Sequence, residues 1–231
     1  SHLMTTKQTL PTDAALVLIC KRPALGHGKQ RLAAQIGVER ALNIAEHLLD
    51  CALEDLRGWS GPVVIAPDQR DACDWATQLM PQALCLAQTA GNLGERINNL
   101  DHSLRGRGHR QLLYIGSDAP ALTPDDYQRV HAALETRDTV LVAARDGGVV
   151  LMASNLPWPD LADLPWSTPE LGHALTETCR RAGHSVSLSG ELFDIDEKAD
   201  LPLAAQALAD DPRAARRRLL KTLNNLEGRQ A

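Results

Sequence analysis

A cationic, glycine-containing loop at residues 21–31 has the residue types that bind phosphate groups. Gly26 and Gly28 would let backbone amides approach phosphate oxygens closely, and Lys29 and Arg31 could neutralise the phosphate charge. A flexible turn with solvated charges is the alternative interpretation. The loop matches neither a Walker A motif, since Pro23 occupies its first glycine position, nor GxGxxG, whose third glycine is replaced by arginine.

Asp118 is the first candidate metal ligand. It comes just after a predicted strand, and ligands gather at the carboxyl ends of the strands in an α/β sheet. A carboxylate at this position can bind Mg²⁺ or Mn²⁺ together with diphosphate oxygens, and Ser117 and Lys21 are further candidates for phosphate contacts. The alternative is that Asp118 only caps the turn before Pro120.

Three further aspartates are candidates for the same chemistry. The alternation of residues 193–196 places Asp194 and Asp196 on one side of an extended segment, so that either could complete a metal site. Asp196 is equally suited to cap a following helix. Asp146 lies in an Asp-Gly sequence that predicts a tight hairpin turn, and its carboxylate could instead act near an acceptor hydroxyl as a general base.

Alternating apolar runs and amphipathic segments must position these side chains. Residues 15–20 form an apolar run typical of a strand buried on both faces, and apolar residues at helical spacing follow over residues 38–56. The alternation continues to residue 134 and predicts a three-layer, doubly wound α/β domain with a mostly parallel sheet. Two β-rich runs, 139–144 and 149–153, break the alternation and predict a late antiparallel insertion before the C-terminal helices.

Length and composition narrow the class of protein. We expect one domain over residues 5–231, because residues 1–4 resemble a protease-cleavage remnant followed by a start methionine. A formal net charge of −5 gives little reason to expect nucleic-acid binding. No apolar stretch reaches the roughly 20 residues of a membrane span, and no secretory signal is recognisable, so we predict a cytoplasmic protein. Homo-oligomerisation is left open.

The cysteines and a terminal arginine run receive structural interpretations. The five cysteines are scattered and form no CxxC pair, which favours buried free thiols over a disulfide framework or a zinc site. The run Arg216–Arg218 is expected on a solvated helix face. The chain has no HExxH or GxSxG motif, so hydrolase chemistry has little support.

Six segments, in their order along the chain, resemble a known bacterial family. They are KxPxxGxxKxRL at 21–32, GxLGER at 91–96, GSDxPxL at 116–122, DGG at 146–148, PWST at 165–168 and DxDxxxDL at 194–201. Together they resemble the glycosyltransferase-A-like proteins named radical-SAM/selenodomain-associated transferases. This resemblance implies the nucleotide-diphospho-sugar transferase fold. It also implies that Lys21, Lys29 and Arg31 bind nucleotide phosphate and that Asp118, with help from Asp196, binds the metal. Gly94 in the GxLGER segment is a further candidate for nucleotide binding.

Two departures separate the chain from the usual family pattern. Gln30 replaces a threonine, and Val149 and Val150 replace paired aromatic residues after DGG, so the donor or acceptor could differ from that of other members. The loop and the final motif also resemble phospholactate guanylyltransferase and related nucleotidyltransferases. Both chemistries use a metal to stabilise charge on phosphate oxygens, and the motifs do not separate them.

The resulting prediction is a metal-dependent transferase that uses a nucleotide-linked donor. The leading hypothesis is a glycosyltransferase with a nucleotide-diphospho-sugar, a small-molecule acceptor and Mg²⁺ or Mn²⁺, in which Asp118 and Asp146 are catalytic. One alternative is a nucleotidyltransferase that joins an NTP to a phosphorylated small molecule and releases pyrophosphate. The other is a non-catalytic nucleotide-binding module.

Overall fold

A computed structural model of the chain describes residues 12–230, with 227, 229 and 230 described by their backbone alone. The predicted cleavage remnant at residues 1–4 lies outside this range. The strands form one seven-stranded sheet in the order β3-β2-β1-β4-β6-β5-β7. They are β1 (Ala15–Cys20), β2 (Val63–Pro67), β3 (Leu84–Cys85), β4 (Leu112–Ile115), β5 (Thr139–Ala144), β6 (Val149–Ser154) and β7 (Val186–Leu192).

Eight α-helices connect and cover the strands in this part of the chain. They are α1 (Gln30–Ile36), α2 (Val38–Gly58), α3 (Cys73–Leu79), α4 (Leu93–Gly106), α5 (Pro124–Ala133), α6 (Leu171–Arg181), α7 (Asp200–Leu208) and α8 (Ala214–Gln230). A 3₁₀ turn at Arg70–Ala72 leads into α3. No helix within residues 12–230 is both long enough and apolar enough to cross a membrane.

The pairing of the strands confirms the predicted fold class. Strand β1 pairs in parallel with β2 and with β4, and β5 pairs in parallel with β7. Strand β6 runs antiparallel between β4 and β5, so the predicted antiparallel insertion lies inside the sheet. All strands except β6 therefore end at the same edge, and the residues after them are brought together there.

Apolar side chains alternate between the two faces of the sheet and build a core on each. Leu16 and Leu18 of β1 pack with residues of α2, α3 and α5, whereas Val17 packs with residues of α4 and α6 on the opposite face. A third cluster joins α1 and α2 to α7 and α8. Three packed layers result, as the alternation of strands and helices predicts.

Two segments differ from the sequence prediction. Helix α1 was not expected, because it is only seven residues long and follows directly on the glycine-containing loop. Helix α7 begins at Asp200 and not near residue 197, because the Asp200 carboxylate accepts hydrogen bonds from the amides of Asp196 and Glu197, each at 2.9 Å. The side chain of Asp196 therefore does not cap this helix.

The prediction of a solvated arginine run is wrong for Arg216. Its side chain is 1% exposed and forms salt bridges with Asp55 at 2.8 Å and Glu54 at 3.1 Å. Arg217 and Arg218 are exposed. The helical repeat explains the split, because successive residues are rotated to different faces and only one of the three points at α2.

The prediction that the cysteines are free thiols is wrong for one pair. Cys73 at the start of α3 and Cys85 in β3 form a disulfide, with Cα atoms 5.9 Å apart. Cys20, Cys51 and Cys179 are free and buried. The pair was missed because the spacing of the cysteines does not show that the chain folds back from α3 to β3.

Candidate functional site

A cleft with a volume of about 940 Å³ lies where the parallel strands end. Its wall includes the loop after β1, Asp68 after β2, Gly116–Asp118 after β4, Asp146 after β5 and the segment after β7. The site is assembled from residues far apart in the sequence because each parallel strand delivers its following loop to this edge.

Lys29 joins three of these segments. It has φ +50°, in the left-handed region, and ends the loop immediately before α1. Its ammonium lies 2.6 Å from Oδ1 of Asp118 and donates a hydrogen bond of 2.5 Å to the carbonyl of Ile195. The side chain is 13% exposed. A fixed positive charge therefore stands between the end of β4 and the segment after β7.

Asp146, Asp194 and Asp196 form a carboxylate cluster, in which one oxygen from each lies within 4.8 Å of the others. The sequence prediction had placed the metal at Asp118 and Asp196. Asp118 lies close enough to affect the titration of both Asp194 and Asp196 but is not one of the three clustered groups. Asp194 had been named as the alternative to Asp196, and Asp146, which was expected near the acceptor, joins them because β5 and β7 are neighbours in the sheet.

Burial and nearby negative charges raise the pKa values of Asp194 and Asp196. The pKa of Asp194 rises to about 8, first because of burial and then because Asp118, Asp196 and Asp146 are close. The pKa of Asp196 is also raised, by burial and then by Asp118, while Lys29 opposes the rise. The site thus holds more negative charge than its surroundings neutralise.

The carboxylate cluster has the chemistry of a divalent-cation site. Mg²⁺ and Mn²⁺ prefer oxygen ligands, and a dication would relieve the repulsion that raises the pKa of Asp194. The backbone supports the arrangement, because the amide of Ile195 donates to the carbonyl of Asp118 at 2.8 Å. Two of the contributing segments are therefore held together without a metal.

The turn that carries Asp146 depends on glycine. Gly147 has φ +94°, and a Cβ atom there would lie 1.9 Å from the carbonyl oxygen of Pro169. The amide of Gly148 donates to Oδ1 of Asp146 at 2.9 Å, and the amide of Gly172 donates to the carbonyl of Gly147 at 2.8 Å. The hairpin turn predicted from Asp-Gly is thus packed against the loop before α6, which fixes the carboxylate.

The other predicted phosphate-binding residues divide into two groups. Those that line the cleft are Lys21, Gly28, Lys29, Arg31 and Ser117. Gly26 and Gly94 are not among the cleft-lining residues. A Cβ atom on Gly94 would lie 2.1 Å from the carbonyl oxygen of Leu161, so this glycine permits close packing of α4 against the loop between β6 and α6.

Several cleft residues were missed by sequence reasoning. Asp68 directly follows β2, and Gln88 follows β3, where its amide donates to the carbonyl of Pro67 at 2.8 Å. Arg96 of α4 donates to Oε1 of Gln88 at 3.5 Å. The available signal for Asp68 and Gln88 was the one that pointed to Asp118, namely a polar residue after a predicted strand.

Solved structures of other proteins share this fold. A presumed nucleotide-diphospho-sugar transferase from Desulfovibrio desulfuricans G20 is 21% identical, with a TM-score of 0.83 over 95% of this chain and 98% of that one. The manganese complex of Rv0371c from Mycobacterium tuberculosis H37Rv is 14% identical, with a TM-score of 0.51 and coverages of 83% and 97%.

A third structure of the same fold is 4-diphosphocytidyl-2C-methyl-D-erythritol synthase from Anaerococcus prevotii DSM 20548. It is 11% identical, with a TM-score of 0.51 over 86% of this chain and 100% of that chain. No curated protein matches the sequence with significance. The family model DUF2064, described as an uncharacterized protein conserved in bacteria, matches residues 48–168, which is more than half of the chain. The chain belongs to this family.

Proposed function

We propose that the protein is a metal-dependent transferase with a nucleotide-linked donor, and specifically a glycosyltransferase that uses a nucleotide-diphospho-sugar. The observation that carries this proposal is the meeting of Asp146, Asp194 and Asp196 within 4.8 Å of one another, in the cleft that Lys29 also lines. A cation-binding group beside a fixed ammonium suits a diphosphate, because both neutralise phosphate oxygens.

Each charged group has a role in this proposal. Lys29, with Lys21 and Arg31 at the same loop, binds the diphosphate, and Asp118 orients the Lys29 ammonium through their 2.6 Å contact. Asp194 and Asp196 would hold Mg²⁺ or Mn²⁺, which supplies charge stabilisation to the phosphate oxygens. A direct contact between Asp118 and the metal, as the sequence suggested, stays a prediction.

The exposed carboxylate of Asp146 lies on the solvent side of the cluster and would meet the acceptor. It would accept the proton of an acceptor hydroxyl as a general base. The acceptor oxygen then bonds to the anomeric carbon, and the bond from that carbon to the phosphate oxygen breaks. The nucleoside diphosphate leaves with the electron pair. A small-molecule acceptor completes this proposal.

The test is release of nucleoside diphosphate from a panel of nucleotide-sugars with Mn²⁺ or Mg²⁺. We expect turnover that EDTA removes and that falls at least about 100-fold in Asp194→Asn and Asp196→Asn, since metal assistance contributes several kcal/mol. Asp163→Asn is the matched control, because Asp163 is exposed and does not line the cleft. Absence of sugar transfer and of donor hydrolysis for every nucleotide-sugar would contradict the proposal.

Nucleotidyl transfer is the second candidate. The same loop and carboxylates suit an NTP, and the synthase of a diphosphocytidyl compound shares the fold. The discriminating measurement is pyrophosphate release from an NTP in the presence of phosphorylated acceptors. Nucleotide affinity that is the same with and without metal, together with no turnover of any nucleotide, would instead favour the non-catalytic module. The cytoplasmic location and the oligomeric state stay predictions.

A further inference from the structure

Asp68 is a largely buried carboxylate for which residues 12–230 supply no close cationic partner. Its side chain is 12% exposed and lines the cleft. Among these residues the nearest group that could pair with it, when protonated, is His27, whose Nε2 lies 3.8 Å away, beyond hydrogen-bond distance. The oxygens of Asp68 can therefore accept hydrogen bonds from the N–H donors of a ligand in the cleft.

The position of Asp68 separates it from Asp118. Strand β1 lies between β2, which Asp68 follows, and β4, which leads to Asp118. Two strand spacings amount to about 10 Å. The negative charge of Asp68 would repel a diphosphate placed beside it, so the part of a nucleotide that can occupy this end of the cleft is the base.

Gln88 lies at the same end of the cleft as Asp68 and is hydrogen-bonded to the protein. Gln88 is 8% exposed, and its amide nitrogen Nε2 donates to the carbonyls of Ala66 at 2.8 Å and Cys20 at 3.4 Å. Its oxygen accepts the hydrogen bond from Arg96. Gln88 is therefore committed to the protein, which leaves the carboxylate of Asp68 as the acceptor available to a ligand.

We propose that Asp68 recognises guanine, and that the donor is a guanosine nucleotide; this inference rests on the proposed function. Guanine is the standard base that presents two adjacent donors, N1–H and the N2 amino group, to the two oxygens of one carboxylate. Uracil offers a single N–H between two carbonyls. Adenine and cytosine offer one amino group beside a ring nitrogen whose lone pair faces the second oxygen.

Calorimetric binding of nucleoside diphosphates with Mn²⁺ tests this assignment. We expect GDP to bind at least about 10-fold more tightly than UDP, CDP or ADP, because a hydrogen bond to a charged group contributes about 1.5–3 kcal/mol. Asp68→Asn should weaken the binding of GDP by a similar factor. It should also strengthen binding of xanthosine diphosphate, since the asparagine amino group can donate to the C2 carbonyl that replaces the guanine amino group.

Two control variants separate base recognition from loop support. Asp71→Asn changes an exposed carboxylate in the adjacent 3₁₀ turn and should leave all affinities unchanged. His27→Ala removes the neighbour of Asp68 and should preserve the preference for guanine.

Each unfavourable outcome has a distinct meaning. Equal weakening of every diphosphate in Asp68→Asn, or the same effect in His27→Ala, would overturn the inference and show that Asp68 only supports the loop. Binding of diphosphates without a preference for guanine would overturn it while leaving the proposed function intact. Absence of binding by every nucleotide would overturn both.

Discussion

Lys29 joins three segments of the cleft and also lies where it could bind a phosphate. Its ammonium contacts the carboxylate of Asp118 and the carbonyl of Ile195, so it links the loop after β1 to the segments after β4 and β7. A diphosphate in the cleft would add further charged acceptors for the same ammonium, which has three N–H donors. The contacts of Lys29 within the protein therefore orient it toward such a ligand.

Replacing Lys29 by methionine should weaken nucleoside diphosphate binding by about 10- to 100-fold, because a hydrogen bond to a charged group contributes about 1.5–3 kcal/mol. Calorimetry in the presence of Mn²⁺ measures the change. Arg31→Met is the comparison, and we expect a smaller loss because its side chain is 71% exposed. An equal loss in both variants would contradict a special role for Lys29.

Asp194 should make the stability of the metal-free protein depend on pH. Its pKa is about 8 in the folded chain and about 3.9 in an unfolded one. Between these values the unfolded chain has lost the proton and the folded chain retains it. The free energy of unfolding should therefore fall as pH rises from about 4 to 8.

Urea unfolding in EDTA at several pH values tests this effect. Asp194→Asn should remove the penalty, so the variant should gain stability relative to the natural sequence as pH rises from about 4 to 8, by an amount that solvent at the cleft reduces. Added Mn²⁺ should instead raise the free energy of unfolding of the natural sequence more than that of the variant. A difference between the two proteins that does not change with pH would contradict the raised pKa.

At the scale of elements, the C-terminal helix is held by a buried ion network. Arg216 of α8 contacts Asp55 and Glu54 of α2 and donates to the carbonyls of Cys51 at 2.6 Å and Pro120 at 3.0 Å. Burial raises the pKa of Asp55, and Arg216 opposes that rise. The contact with Pro120 connects α8 to the loop that carries Asp118.

Arg216→Ala should destabilise the protein by about 3–5 kcal/mol, because it leaves a buried carboxylate without its counter-ion. The free energy of unfolding of Arg217→Ala, in the same helix, should stay within about 0.5 kcal/mol of that of the natural sequence, since Arg217 is exposed. Urea unfolding of both variants makes the comparison. Similar stabilities would show that the network is dispensable.

The disulfide joins two elements at the edge of the sheet. In the unfolded but unreduced protein, thiol titration should detect Cys20, Cys51 and Cys179, and reduction should expose all five cysteines. Loss of the cross-link should cost about 3 kcal/mol through the added freedom of the unfolded chain. Five reactive thiols before reduction would contradict the pairing of Cys73 and Cys85. Disulfides are rare in reducing compartments, so the result also bears on the predicted location.

At the scale of the whole molecule, the cleft is lined by residues from both halves of the strand order. The loop after β1 and Asp68 come from the half that contains β1, β2 and β3, and Asp146, Asp194 and Asp196 come from the half that contains β5 and β7. A ligand that contacts both halves would bind only the folded chain. Its binding should therefore raise the stability of the entire domain.

A nucleoside diphosphate and Mn²⁺ together should raise the melting temperature by about 5–10 °C at a concentration 100 times the Kd. This follows because such saturation adds about 2.7 kcal/mol and each kcal/mol shifts a domain of this size by about 2–4 °C. Either component alone should have a smaller effect. Asp196→Asn should abolish the cooperation between them, and additive shifts in the natural sequence would contradict a shared site.

The sequence by itself determined the fold class and the edge of the sheet at which the site lies. The apolar run at residues 15–20 and the repeated strand–helix pattern are local signals, and residues that follow parallel strands must share one edge. Lys29 and Asp118 were identified in this way, from their places after predicted strands, whereas Asp194 and Asp196 were identified from the alternation of residues 193–196.

Only the tertiary structure decided which of these residues meet. The order of the strands places β5 beside β7, so Asp146 approaches Asp194 and Asp196, a consequence that no local spacing contains. The burial of Arg216 and the pairing of Cys73 with Cys85 likewise depend on packing between distant segments. Local propensity predicts elements, whereas electrostatics and coordination depend on distances that exist only after those elements have packed together.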